Sequence, residues 1–191
     1  KVFNLYKINP NKMQAAALNN IARLRKEGKN RALLISATGT GKTFLSAFDV
    51  RVVNPKRCLF IVHRGLIARN SLKSFRQIID PHITMGLYTS GAKNVDADYI
   101  FATVQTLNQE ENLHAFAPDT FDYIIVDEAH HAGANTYQKI LKYFRPKFLL
   151  GMTATPERTD GYDIFKDFNY NIAYEIRLNQ ALSENMLVPF H

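Results

Sequence analysis

The sequence predicts an α/β fold, with a mostly parallel central sheet and helices on both faces. Three observations predict it. Short, nearly unbroken apolar runs recur along the 191 residues, as strands buried on both faces require. Amphipathic stretches of helical period separate them. The residues best suited to chemistry come directly after those runs, where open parallel sheets present their ligand sites.

Residues 32–35 read as the first buried strand. Residues 42–52 read as a helix with Phe44, Leu45, Phe48 and Val52 on one face. After the Asn54-Pro55 turn, residues 58–62 form a second strand. Residues 65–79 have Leu66, Ile67, Leu72, Phe75 and Ile79 at helical positions, with Arg69, Lys73 and Arg76 between them, until Pro81 ends the helix. Strands are expected over 83–88 and 98–102. The polar segment 108–119, with Pro118, reads as a loop region. Residues 123–126 are a continuous apolar strand that runs straight into Asp127. Residues 135–144 read as helical, and 148–152 as a final core strand. No internal repeat or low-complexity linker interrupts this order, and the length suits one domain with room for a core.

Composition narrows the function classes. Hydrophobic residues make up 46% and charged residues 21%, the balance of a soluble globular chain. No run of about 18 apolar residues is present to span a membrane. Residues 1–11 are polar and mixed, without the apolar centre of a signal peptide. The single cysteine, Cys58, excludes an internal disulfide framework and a multi-cysteine zinc site. A cytoplasmic setting is therefore expected. Lys and Arg total 24 against 17 Asp and Glu, a net charge of +7 that is compatible with a nucleic-acid partner without demanding one.

The chemistry concentrates in two places. Thr38-Gly39-Thr40-Gly41-Lys42-Thr43 lies between a strand and a helix. Gly39 and Gly41 let the backbone turn its N–H groups toward an anion, and the helix start adds a positive dipole end. Lys42 would reach the β- and γ-phosphates of a nucleotide, and the Thr43 hydroxyl would bind Mg²⁺. The run departs from the phosphate-loop pattern in one position, Ser36 standing where that pattern begins with Gly.

The second place is Asp127-Glu128-Ala129-His130, directly after an apolar strand. Asp127 is expected to contact the metal, and Glu128 to orient or activate an attacking water. Two adjacent acids repel unless a cation is near, so the pair makes sense beside a metal-bound nucleotide. His130 and His131 point in different directions, and no Cys or third His stands at ligand spacing, so coupling of His130 to polar neighbours is the better reading than zinc. The two segments together specify a nucleoside triphosphatase.

At this point the chain resembles the superfamily 2 helicases and translocases, over essentially its whole length, as the first of two RecA-like motor domains of the P-loop NTPase type. Ala37 to Thr43 looks like motif I, Asp127-Glu128-Ala129-His130 like motif II, and Thr153-Ala154-Thr155-Pro156 like motif III. Val62-His63-Arg64 with Leu66 looks like motif Ia, and Ala102-Thr103-Val104-Gln105-Thr106-Leu107 like motif Ib or Ic. The Glu128-Ala129-His130-His131 run followed by Tyr137 is similar to the branch that holds restriction motor subunits and XPB-like DNA helicases.

The resemblance implies further roles. Gln14 would read adenine; as a bare sequence feature it is otherwise a helix-start residue exposed to water. Thr153 and Thr155 would link the nucleotide site to nucleic acid. Arg64 and Thr103, with His63 and Gln105, would contact a sugar-phosphate backbone, DNA in preference to RNA. ATP and Mg²⁺ are the implied cofactors. The family's arginine finger comes from a second RecA-like domain, and no Gln-, Gly- and Arg-rich motif for it occurs here. Leu187-Val188-Pro189-Phe190-His191 falls where the link to that domain would begin. Residues 1–191 are therefore expected to be one motor domain of a longer chain, hydrolysing ATP slowly or not at all by themselves. The leading function is an ATP-driven DNA motor. An ATP-gated nucleic-acid binding module without unwinding, and the motor arm of a restriction-type nuclease, stay open beside it.

Overall fold

A computed structural model describes residues 8–36, 41–131, 134–154 and 164–175. They form an eight-stranded sheet in the order β4-β3-β5-β2-β6-β7-β1-β8. The strands are β1 Arg31–Ile35, β2 Cys58–Val62, β3 Met85–Thr89, β4 Ala92–Lys93, β5 Tyr99–Thr103, β6 Tyr123–Val126, β7 Phe148–Thr153 and β8 Ile172–Glu175. Every neighbouring pair is parallel except β3 with β4. The expected mostly parallel sheet with helices on both faces is the observed one.

Alternation along the strands builds two cores. On one face Leu34, Phe60, Phe101 and Leu150 pack against α1 (Lys12–Lys26), α2 (Lys42–Val53) and α3 (Gly65–Ile78), through Ile21, Phe48 and Phe75. On the other face Leu33, Leu59, Ile61 and Ile124 pack against α4 (Val104–Leu107), α5 (Glu110–Leu113), α6 (Asn135–Tyr143) and α7 (Ile164–Asp167), with Leu107, Leu113, Ile140 and Ile164 as the contact residues. Gly151 in β7 makes room for this second core: a Cβ there would stand 2.4 Å from Phe168 Cζ. Among the described residues no helix is long and apolar enough to cross a membrane.

Several elements differ from the sequence reading. The helix α1 was not among its elements. It starts with a capping box in which the Asn11 side chain accepts from the Gln14 N–H (2.8 Å) and Gln14 Oε1 accepts from the Asn11 N–H (3.0 Å). Segment 108–119 is not all loop, because α5 folds within it. The strand β7 is not the last, because β8 pairs with β1 on its far side. β4 is only two residues long, too short to leave a periodic signal. Val52 is 74% exposed and Leu66 61% exposed, although each is in phase with the apolar positions of its helix. Both lie in end turns, which are less enclosed than helix centres. The centre of α2 is buried on several sides, including Ser46 and Asp49, so a single apolar stripe does not describe it.

Burial of Asp49 is offset by partners. Arg25 Nη2 contacts Asp49 Oδ2 at 2.6 Å, and the Tyr123 hydroxyl donates to the same oxygen at 2.5 Å. The Arg25 guanidinium also lies over the Phe148 ring, 4.5 Å from its centroid. Removing one partner of a buried pair strands the other without hydrogen bonds. Asp49→Ala should therefore lower unfolding free energy by about 3 kcal/mol in urea titration, with Arg25→Met costing less because the arginine side chain keeps 27% of its surface in water.

Candidate functional site

The carboxyl ends of the central strands place the candidate residues along one edge. The register aligns Val62 with Thr103, Ile61 with Val126, Val126 with Gly151, and Thr153 with Ile35. Residues after β5 and β2 thus stand beside those after β6, β7 and β1. The crossover from β1 to β2 skips β7 and β6, and this is where a doubly wound sheet opens a ligand crevice.

Lys42 begins α2 behind Gly41, which takes a left-handed conformation at φ 74°. Its ammonium reaches Asp127 Oδ1 at 2.9 Å and Glu128 Oε1 at 2.7 Å. Burial alone would lower the Lys42 pKa, but Asp127 and Glu128 together outweigh it and hold the group above its ordinary value. The lysine is therefore charged across the physiological range. Asp127 is 5% exposed, and its Oδ1 also accepts the Glu128 N–H at 3.0 Å. Glu128 sits at φ 53°, a left-handed conformation uncommon for a residue other than glycine. That backbone turns the chain out of β6 into a short 3₁₀ turn, Ala129–His131.

Gln14 is 7% exposed, so the sequence alternative of a water-exposed helix-start residue is corrected: it lies in the first turn of α1 but is buried. Its Nε2 donates to the Gly41 carbonyl at 3.3 Å, and a Cβ on Gly41 would come within 2.9 Å of that nitrogen. Glycine at 41 thus serves both a left-handed turn and a close approach. The Ser36 N–H donates to the Thr153 carbonyl at 3.0 Å, which joins the start of the phosphate loop to the end of β7. Thr153 is fully buried there, and Thr43 is half-buried in the first turn of α2.

On the neighbouring strands, Arg64 is exposed and precedes α3, and Gln105 is exposed on α4. His63 is half-buried, its Nδ1 has no hydrogen-bond partner, and its ring lies 5.4 Å from that of His131. Thr103 is 6% exposed, and its hydroxyl pairs with that of Thr106 at 2.8 Å. That hydroxyl fastens the start of α4 instead of facing outward with Arg64 and Gln105. Thr38, Gly39, Thr40 and Thr155 lie outside the described residues, as does the side chain of His130.

Sequence reasoning gave no role to Tyr137, whose buried hydroxyl is influenced by both Asp127 and Glu128. Its only prior signal was its position shortly after the two histidines. Asn11 was also missed, although an Asn three residues before a Gln is a recognisable capping-box pattern.

The sequence and the fold are similar to those of several known proteins. The family described as "Type III restriction enzyme, res subunit" matches residues 7–158. A type I restriction enzyme EcoAI endonuclease subunit from Escherichia coli is 32% identical over 195 residues, covering 95% of this chain and 23% of the relative. The putative ATP-dependent helicase IRC3 of Saccharomyces cerevisiae is 34% identical over 164 residues, covering 76% of this chain and 22% of the relative. The chain thus spans less than a quarter of either protein. Among solved structures, the ATP-dependent type ISP restriction-modification enzyme LlaBIII bound to DNA superposes with a TM-score of 0.75 at 19% identity, over 97% of this chain and 16% of that one. The UvsW helicase from bacteriophage T4 does so at 0.67 and 20% identity, over 88% of this chain and 61% of that one. At these identities the likeness concerns the fold.

A raised lysine pKa sets the sign of a pH dependence. The stability that Lys42 draws from its two acids is fully present below its ordinary value of 10.5 and is lost as pH rises through the higher folded value. Wild type should therefore be more stable than Lys42→Met in urea unfolding at pH 7, and as pH rises from there the gap should begin to narrow only above pH 10.5. A gap that closed near neutrality would refute this account of the cluster.

Proposed function

The chain belongs to the family of the type III restriction enzyme res subunit, and from that premise we propose that it is the ATP-binding motor domain of a DNA helicase or translocase. The observation that carries this reading is the convergence of Lys42 on Asp127 and Glu128, at the carboxyl edge of a parallel sheet and the start of α2. Phosphoryl transfer to water needs a cation for the phosphates, oxygen donors for a metal and a carboxylate to place the water.

The residues fit Mg²⁺ and ATP. Thr43 and Asp127 offer the hard oxygen donors that Mg²⁺ takes. Gly41 lacks the Cβ that would crowd Gln14, so the loop backbone can turn toward an anion beside the helix start. Bound there, Mg²⁺ supplies charge neutralisation on the β- and γ-phosphates. The other tasks belong to the chain itself. Lys42 binds the same phosphates through its ammonium. Glu128 orients the attacking water and draws on its proton. Gln14 reads adenine from its place against Gly41. Thr38, Gly39 and Thr40 complete the backbone cradle, and His130, Thr153 and Thr155 couple it to the nucleic-acid edge. The Ser36–Thr153 hydrogen bond supports that coupling, since Ser36 and the end of β7 cannot shift independently without breaking it.

Arg64, His63 and Gln105 grip the sugar-phosphate backbone, with Thr103 bracing α4 beside them. Contacts of this kind give affinity without sequence information, which suits movement along a strand. The cycle is completed by a second RecA-like domain of the parent protein, whose arginine finger raises turnover by about 10³ to 10⁵. The cytoplasm is the setting this reading assigns. The likeness to a restriction endonuclease subunit favours one variant of it, a motor arm that feeds DNA to a nuclease.

Titration calorimetry should detect Mg·ATP binding to the wild-type chain. Lys42→Ala should weaken it by roughly 100-fold, as loss of a charge-assisted contact does. Absence of adenine-nucleotide uptake by the wild type would overturn the reading. DNA binding should fall as salt rises, and Arg64→Ala should reduce the slope of log affinity against log salt by about 1 for every sequence tested.

A further inference from the structure

Tyr137 presents a problem of hydrogen bonding near the turn that follows the two acids. It projects from α6, is 4% exposed, and its hydroxyl is buried without a hydrogen-bond partner. A hydroxyl in that condition is unfavourable, and a phenylalanine would fill the same space without the loss. Among the described residues only four side chains hold a polar atom in this state, and another of them, His63, lies on the same aromatic path.

The surroundings identify what the hydroxyl is for. The His131 N–H donates to the Glu128 carbonyl at 3.0 Å, which folds the turn after the acids back on itself. The His131 ring lies 6.4 Å from the Tyr137 ring and 5.4 Å from that of His63. Tyr137 thus lies beside the turn that directly follows both carboxylates. Burial raises its pKa, and the negative charges of Asp127 and Glu128 raise it further, so it keeps its proton and can only donate to them. Those carboxylates in turn receive the Lys42 ammonium at 2.9 and 2.7 Å. Phosphate oxygens of a bound triphosphate compete for that same ammonium.

We propose that Tyr137 is a positioning residue of the hydrolytic centre, whose hydroxyl donates to the Asp127–Glu128 carboxylate pair, directly or through one water, as a triphosphate draws Lys42 toward itself. The inference rests on the ATPase reading above. No covalent bond changes: the ammonium passes from carboxylate to phosphate oxygens, and the phenolic O–H passes from no partner to a carboxylate. The donor fixes the carboxylate orientation at the stage when water must be aligned.

Tyr137→Phe removes one oxygen and tests this on residues 1–191, by thermal unfolding and by Mg·ATP calorimetry of variant and wild type. The expected variant melts at or above the wild-type temperature yet binds Mg·ATP about tenfold more weakly. A merely structural tyrosine would show the reverse, a lower melting temperature with unchanged affinity. Affinity within twofold of wild type, or a variant that melts below wild type whatever its affinity, overturns the proposal. If the wild type itself takes up no Mg·ATP, the ATPase reading falls and this inference with it. Wild-type uptake with an unaltered variant overturns this inference alone.

Discussion

Lys42 holds one ammonium group between two adjacent carboxylates at the point where α2 starts and β6 ends. Neighbouring acids repel each other, and burial penalises every charge in the group, so neither segment would hold this geometry without the other. The sheet makes the meeting possible. Because β7 is inserted between β1 and β6, the carboxyl ends of those two strands lie on either side of one strand end. The carbonyl of that strand's last residue, Thr153, accepts the Ser36 N–H and ties the end of β1 to it.

The same two elements are fastened a second time at a distance from Lys42. Asp49 on α2 receives the hydroxyl of Tyr123, the first residue of β6, and the guanidinium of Arg25 on α1. Contact at two points leaves α2 and β6 little freedom to rotate against one another. The thiol of Cys58 lies in this region, its pKa pushed up by burial and by the nearby Asp49 charge, so it behaves as a small core residue and not as a nucleophile. Ionic groups thus fasten one helix–strand pair at both ends, Lys42 with its two acids at one and Asp49 with its partners at the other.

Much of this was legible in the sequence because the relevant signals are local. The runs 58–62 and 123–126 are apolar at every position, and each folds as a strand over those residues. Lys42, Asp127 and Glu128 were readable because phosphate loops and strand-end acids place fixed residue types at fixed offsets. What escaped depends on distant partners. Asp49 looks like a polar interruption of an amphipathic helix until Arg25 and Tyr123 are brought to it. β8 has a short run whose pairing with β1 is set by the fold and not by its own pattern. Thr103 looks like a surface hydroxyl, and only Thr106 one helical turn later explains why it faces inward. Gln14 shows both sides, since its helix-cap role is local and its contact with Gly41 is not.

Glu128 occupies a left-handed backbone conformation at φ 53°, a region that disfavours residues with a Cβ. Glycine would relax that peptide and end the repulsion with Asp127, but it would also remove the carboxylate that holds the Lys42 ammonium at 2.7 Å. Backbone ease and the ion pair are therefore at odds at this one position. Selection for thermal endurance would be pulled both ways there, and the outcome would depend on which of the two contributes more to holding β6 against α2.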